Sequence, residues 1–222
     1  TDRMSEWVVL QCLTHLRGAL VYQRQQRDHV WNELSPQPEA RDVTVGVMGL
    51  GVLGEDAVKK LKVMGFDVVG WSRRKRQIDG IETFDAEGLD AFLARTDILV
   101  GLLPLTAETC GLYDATLFRK LRQGGALGKP VFINAGRGGS QVEVDIVAVL
   151  QDGVLGAASL DVFETEPLRP DSPLWDMDNV VITPHAAAAS DVEALFRHVE
   201  RQIARFESGK PLEHLVDRAA GY

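Results

Sequence analysis

The spacing of apolar residues changes period several times along the chain. Over residues 4–24, Trp7, Val8, Leu10, Cys12, Leu13, Leu16, Leu20 and Val21 give the broad apolar coverage of one helix that needs a partner outside itself. Residues 22–41 turn polar and charged, and Pro36 and Pro38 mark a connector. Short, continuous apolar runs then follow: Val43, Val45 and Val47, then residues 67–71, 97–103, 130–134, 157–162 and 180–183. Between them, helical spacing runs through Ala57, Val58, Leu61 and Met64, over 86–95, around Leu117, Phe118 and Leu121, and over 142–152, which Gly153 stops. A closing helix is predicted over 191–207, begun by Ser190 or Asp191. Apolar strands alternating with amphipathic helices indicate an α/β protein whose parallel sheet is covered on both faces. Six such strands in this order predict a doubly wound fold of the Rossmann type.

The first strand ends in Gly49-Leu50-Gly51-Val52-Leu53-Gly54. Glycine-rich turns also serve as plain punctuation, but a strand before this one and a helix behind it select dinucleotide binding. Gly49 permits the tight turn, Gly51 lets the backbone approach a pyrophosphate, and Gly54 lets the helix pack closely. The free N–H groups of that helix's first turn, with the positive end of its dipole, then face the phosphates.

In such a sheet, ligands gather at the carboxyl ends of the strands. After the second strand come Ser72-Arg73-Arg74-Lys75-Arg76, where an NAD-specific chain would carry an acidic residue roughly twenty positions beyond the glycines. A run of charge is ordinarily a solvated face, but here its position decides. Arg73 can bind a 2′-phosphate that a carboxylate would repel, so NADP is expected over NAD. After the fourth strand comes Asn134-Ala135-Gly136-Arg137-Gly138-Gly139, an arginine among glycines suited to a bidentate grip on a carboxylate. Asp161, Glu164 and Glu166 follow the fifth strand, and Thr183-Pro184-His185 the sixth. A lone histidine is more often a surface or satisfied core residue than a catalyst. Placed at a strand end, with a carboxylate after the neighbouring strand, it becomes a proton donor. Arg137, Glu166 and His185 thus supply an anion clamp, an orienting carboxylate and an acid, the minimum for reducing the carbonyl of a 2-keto acid.

The 222 residues, 45% of them apolar, suffice for one large domain with appendages. A net charge of −8 argues against nucleic acid or a membrane surface as partner. Cys12 and Cys110 lack metal-ligand spacing and read as reduced thiols of a cytoplasmic protein, so no metal site is expected. No stretch has the length of a membrane span, and the start lacks the order of a signal peptide.

The succession GLGVLG, NAGRG, LDVFETEP and TPH resembles the D-isomer-specific 2-hydroxyacid dehydrogenases, and WSR, LLPLT and the ending VDRAAGY resemble their bacterial, NADPH-dependent glyoxylate/hydroxypyruvate reductase branch. The resemblance implies that Arg137 grips the substrate carboxylate, that His185 is the acid/base, and that Glu166 orients His185 and favours its protonated form. It also implies a cofactor site that takes in Gly49, Gly51, Gly54 and the backbone of Val52 and Leu53 around the pyrophosphate. Trp71, Ser72 and Arg73, with Leu103, Pro104 and Thr109, would border the adenosine and ribose. Met4, Ala135, Gly136, Asp161 and Ala187 would lie on the nicotinamide side.

Two departures are local: a longer lead into the fourth strand at 124–130, and alanines after His185 where glycines are commoner. The third concerns organisation, because members of this family carry a substrate domain of roughly a hundred residues ahead of the linking helix with which this chain begins. The implied division is 1–41 linking helix and connector, 42–209 NAD(P)-binding domain, and 210–222 a tail packing on the substrate domain. The implied assembly is a homodimer joined through the linking helices. Fold alone leaves a non-catalytic sensor or corepressor-like module open. The presence of Arg137, Glu166 and His185 together favours the enzyme.

Overall fold

Five consecutive buried residues, Thr44–Met48, form β1, as a strand covered on both faces must. The computed structural model describes residues 2–189, 192–213 and 215–216. Around β1 lie β2 (Asp67–Trp71), β3 (Glu82–Phe84), β4 (Ile98–Gly101), β5 (Val131–Asn134), β6 (Ala157–Leu160) and β7 (Val180–Ile182), in the order β3-β2-β1-β4-β5-β6-β7. Every pairing is parallel. The order reverses beside β1, which opens a crevice between the loops after β1 and β4.

The doubly wound parallel sheet is as expected, with one strand more than the six anticipated. The addition, β3, is a three-residue edge strand whose Glu82, Thr83 and Phe84 carry no apolar run. The first helix also differs. It is two helices, α1 (Asp2–Leu16) and α2 (Ala19–Arg27), separated at Gly18, whose φ of 63° is left-handed. The Leu34 side chain fills the space a Cβ at Gly18 would need, which helps hold the break. Consequently Leu20 and Val21 leave the core, and no residue of α2 is buried.

The remaining helices are α3 (Val52–Val63), α4 (Leu89–Arg95), α5 (Ala115–Arg119), α6 (Glu143–Gln151) and α7 (Val192–Glu207). α4 begins later than the expected residue 86, since Gly88 stands at its N-cap and its N–H bonds back to Asp85. On one face of the sheet, Met4, Val8, Cys12 and Leu16 of α1 join Val45 and Val47 of β1 and Ala57, Val58 and Leu61 of α3. On the other, Phe92, Phe118 and Ile146 of α4, α5 and α6 meet Met48 and Phe132. The expected start of α7 at Ser190 or Asp191 lies outside the described residues, as does most of the closing VDRAAGY. Within α7, Leu195, Phe196, Val199, Ile203 and Phe206 form an exposed apolar stripe.

α1 is also fastened to the sheet by polar groups. Ser159 Oγ of β6 donates to Gln11 Oε1 at 2.9 Å, and so accepts from His15 Nε2, 2.8 Å away. Burial of this imidazole pulls its pKa down to about 4, from an ordinary 6.5. The unfolded chain therefore takes up a proton over a range in which the folded chain does not. Stability should be complete above about pH 6.5 and fall by about 1.4 kcal/mol per unit as pH drops towards 4. Urea unfolding across this range should show the slope, and His15→Gln should remove it; an unchanged slope would place its origin elsewhere.

Candidate active site

The turn after β1 is built by contact as much as by conformation. Gly49 has a φ of +106°, and a Cβ there would press on the Leu102 carbonyl of the loop after β4. A Cβ on Gly54 would overlap the Gly49 carbonyl oxygen, so the first turn of α3 lies directly against the glycine turn. Gly51 is different. It is the N-cap of α3 without a side-chain cap, and nothing lies within 4 Å of where its Cβ would be. Open space thus meets the unsatisfied amides of Val52, Leu53 and Gly54, and this cradle fits a phosphate.

Beside it, the loop after β2 is pinned at both ends. Ser72 Oγ donates to the Arg74 carbonyl at 2.7 Å, and the Arg76 guanidinium donates to the Leu50 carbonyl within the glycine turn. Arg73 is exposed, Trp71 is buried, and the charge of Arg73 reaches Glu108 on the loop after β4. That loop is self-bonded: Thr109 Oγ1 donates to the Pro104 carbonyl at 2.6 Å and accepts from the Thr106 N–H at 2.7 Å. Leu103 is buried, and its backbone lies where a Cβ on Gly136 would fall, 2.9 Å from the carbonyl oxygen. The loop is therefore wedged between the glycine turn and the arginine loop.

After β5, Asn134 is fully buried and its Oδ1 accepts the Gly136 N–H at 3.0 Å. Gly138 packs its backbone against the backbone of Phe163, leaving no room for a Cβ. Arg137 is exposed between these two glycines, and Ser140 Oγ donates to its carbonyl at 2.5 Å.

Asp161, just past β6, is 1% exposed. Its carboxyl oxygens accept from Thr183 Oγ1 at 2.5 Å, Ala186 N–H at 2.8 Å and Ala187 N–H at 3.0 Å, while its carbonyl accepts the His185 N–H at 2.8 Å. His185, with a φ of 53°, is held in the left-handed region that such a residue seldom adopts. The turn presents His185 Nδ1 to Glu166 Oε2 at 2.8 Å, which leaves Nε2 as the ring nitrogen for proton exchange. Burial works against the charge on Glu166. The hydrogen bonds from His185 and the Phe163 N–H, with the charges of His185 and Arg137, outweigh it and hold the carboxyl below its usual range.

Arg137, Glu166 and His185 thus converge on one end of the sheet. Met4, Ala135 and Ala187 belong to the apolar cluster under α1, and Arg3 donates to the Ala189 carbonyl at 2.6 Å, drawing the start of α1 to the histidine turn. Two participants, Glu143 and Gln141, carry no sequence signal of their own. Glu143 and Glu164 each accept the other's backbone N–H at 2.6 Å, and Gln141 lies buried between the loops after β5 and β6. Asn134 and Glu164, which Gln141 and Glu143 bond, stand within the runs at the ends of β5 and β6. Among the described residues no group of His, Cys, Asp and Glu could hold a metal ion.

Residues 9–187 match the family model described as D-isomer specific 2-hydroxyacid dehydrogenase, NAD binding domain. The whole chain is 38% identical to the glyoxylate/hydroxypyruvate reductase A of Escherichia fergusonii and covers 69% of it. It superimposes with a TM-score of 0.98 and 67% identity on an NADPH-dependent glyoxylate/hydroxypyruvate reductase from Sinorhizobium meliloti, solved with NADP and sulfate, covering 70% of that chain. A probable 2-hydroxyacid dehydrogenase from Rhizobium etli, solved with NADP, HEPES and L(+)-tartaric acid, gives a TM-score of 0.97 at 67% identity over the same 70%.

Proposed function

The chain belongs to the D-isomer specific 2-hydroxyacid dehydrogenase family, and from that premise we propose that its protein uses NADPH to reduce glyoxylate, hydroxypyruvate or a similarly short 2-keto acid to the D-2-hydroxy acid. The observation that carries this reading is the 2.8 Å Glu166–His185 pair beside Arg137, at the end of the sheet where the glycine cradle opens. A nucleotide sensor has no need of that trio. The names of the relatives, glyoxylate/hydroxypyruvate reductases among them, support the substrate class, and the NADP in two of their structures supports the cofactor.

The nicotinamide, when bound, supplies a hydride; the residues of this chain do the rest. Val52, Leu53 and the glycines hold the pyrophosphate, and Ser72 and Arg73 the 2′-phosphate. Trp71, Leu103, Pro104 and Thr109 border the adenosine. Met4, Ala135, Gly136, Asp161 and Ala187 frame the nicotinamide end. Arg137 grips the substrate carboxylate with its fork of N–H donors and polarises the keto oxygen. His185 Nε2 delivers the proton to that oxygen, and Glu166 orients the ring through its 2.8 Å contact with Nδ1. Residues 1–41 serve as linking helices and connector, and 42–209 as the cofactor domain. The stripe on α7 and the exposed Leu212, Leu215 and Val216 provide an apolar surface for a substrate domain. The two unpaired thiols, Cys12 and Cys110, suit a reducing cytoplasm.

Three measurements test this reading. In fluorescence titrations NADPH should bind more tightly than NADH, and Arg73→Ala should weaken NADPH roughly 10- to 100-fold while sparing NADH, the worth of one charged hydrogen bond. Equal affinities in the unmutated protein would overturn the 2′-phosphate assignment. In keto-acid reduction by the intact protein, Glu166→Gln loses the carboxylate that aims the ring from 2.8 Å, so kcat should fall while the NADPH dissociation constant is unchanged; an unchanged kcat breaks the pair. Finally, the fully exposed Trp31, with Val30, Trp175 and Leu10 of α1, supports a homodimer. Sedimentation should give a dimer that Trp31→Glu weakens, and a dilution-independent monomer would exclude it.

A further inference from the structure

Between the arginine loop and the histidine–glutamate loop lies one buried side chain with no part in the chemistry described above. Gln141 is 2% exposed. Its Oε1 accepts from Asn134 Nδ2 at 2.8 Å, and its Nε2 donates to the Val162 carbonyl at 3.0 Å. The same carboxamide bonds the Glu143 side chain, whose Oε1 accepts the Glu164 N–H. On one side, Asn134 receives the Gly136 N–H and its Nδ2 approaches the Arg137 carbonyl at 3.4 Å. On the other, Val162 separates Asp161, which holds the His185 turn, from Phe163, whose N–H bonds Glu166. A single amide therefore connects the backbone that carries Arg137 to the backbone that carries Glu166 and braces His185.

The two ends of this connection have opposite hydrogen-bonding sense. Asn134 offers a donor and Val162 an acceptor, and only a side chain with both functions satisfies them together. Such a cross-link between buried loops is needed where two reacting groups on different strands must keep a fixed separation. We propose that Gln141 is a positioning residue for keto-acid reduction, setting the distance between the Arg137 clamp and the Glu166–His185 acid through Asn134 and the Val162 carbonyl. The proposal rests on the functional reading above.

Two variants of the intact protein test it. Gln141→Met keeps the volume and loses both hydrogen bonds. It should lower kcat/KM for the keto acid roughly 10- to 100-fold while leaving the NADPH dissociation constant within about twofold, because the cradle at 49–54 is untouched. Gln141→Glu restores the donor only while the new carboxyl is protonated, and burial beside Glu143 favours that form. Its activity relative to the unmutated protein should be near complete at acidic pH and fall as pH rises, whereas the Gln141→Met ratio stays flat. An unchanged kcat/KM in Gln141→Met, a parallel loss of NADPH binding, or a flat ratio for Gln141→Glu would each overturn the proposal. Should the unmutated protein reduce no keto acid, the functional reading falls by itself, and hydrogen exchange decides the cross-link. In Gln141→Met, amides in both 135–142 and 161–166 must lose protection, and loss in the first loop alone would refute it.

Discussion

A carboxyl group sealed from water, that of Asp161, organises the end of the sheet where the chemistry gathers. Four donors on the β7 side, bonded to its side chain and its carbonyl, fold the chain back after Ile182 and force His185 into a left-handed conformation. Holding a non-glycine residue there costs on the order of 1–3 kcal/mol. Each buried donor left without its acceptor would cost a further ~1–3 kcal/mol, so the turn persists because the carboxyl over-determines it. The imidazole is thus aimed by backbone, and Glu166 adds only the final orientation.

The same economy of contact governs the other loops. The loop after β4 is held between the glycine turn and the arginine loop by glycines that admit backbone and nothing else, at 49 and 136. Its position is therefore shared by the glycine cradle and the arginine loop. The basic loop after β2 is tied to the cradle through Arg76 and Leu50, in a chain whose net charge is −8. At an ionic strength of 0.15 M, charges beyond about 8 Å are screened, so the local arginines rather than the acidic surface set what a phosphate meets there.

Much of this was legible in the sequence, for a physical reason. Strands buried on both faces carry continuous apolar stretches, so β1, β2, β4 and β5 stand out, with glycine, asparagine or arginine at or just beyond their ends. β3 was not legible because an edge strand of Glu82, Thr83 and Phe84 has nothing to bury. The break at Gly18 was hidden because one glycine in a periodic stretch is tolerated, and its cause, Leu34, comes from sixteen positions further on. In the site, the positions of Arg137, Glu166 and His185 followed from counting strands. What Asp161 and Gln141 bond could not follow, since a polar residue in a loop reads as solvated until its partners, most of them 21 to 26 positions away, are brought beside it.

The close approach of Gly138 to Phe163 bears on how this site can diverge. Drift cannot place a side chain at 138 without parting the loops that carry Arg137 and Glu166, and the same holds for 136 against Leu103. Gly139 meets only the movable end of Leu105. Heritable variation in the arginine loop is therefore channelled to position 139 and to Leu105, which it touches. Descendants of this chain should vary at 139 while the glycines at 136 and 138 stay silent.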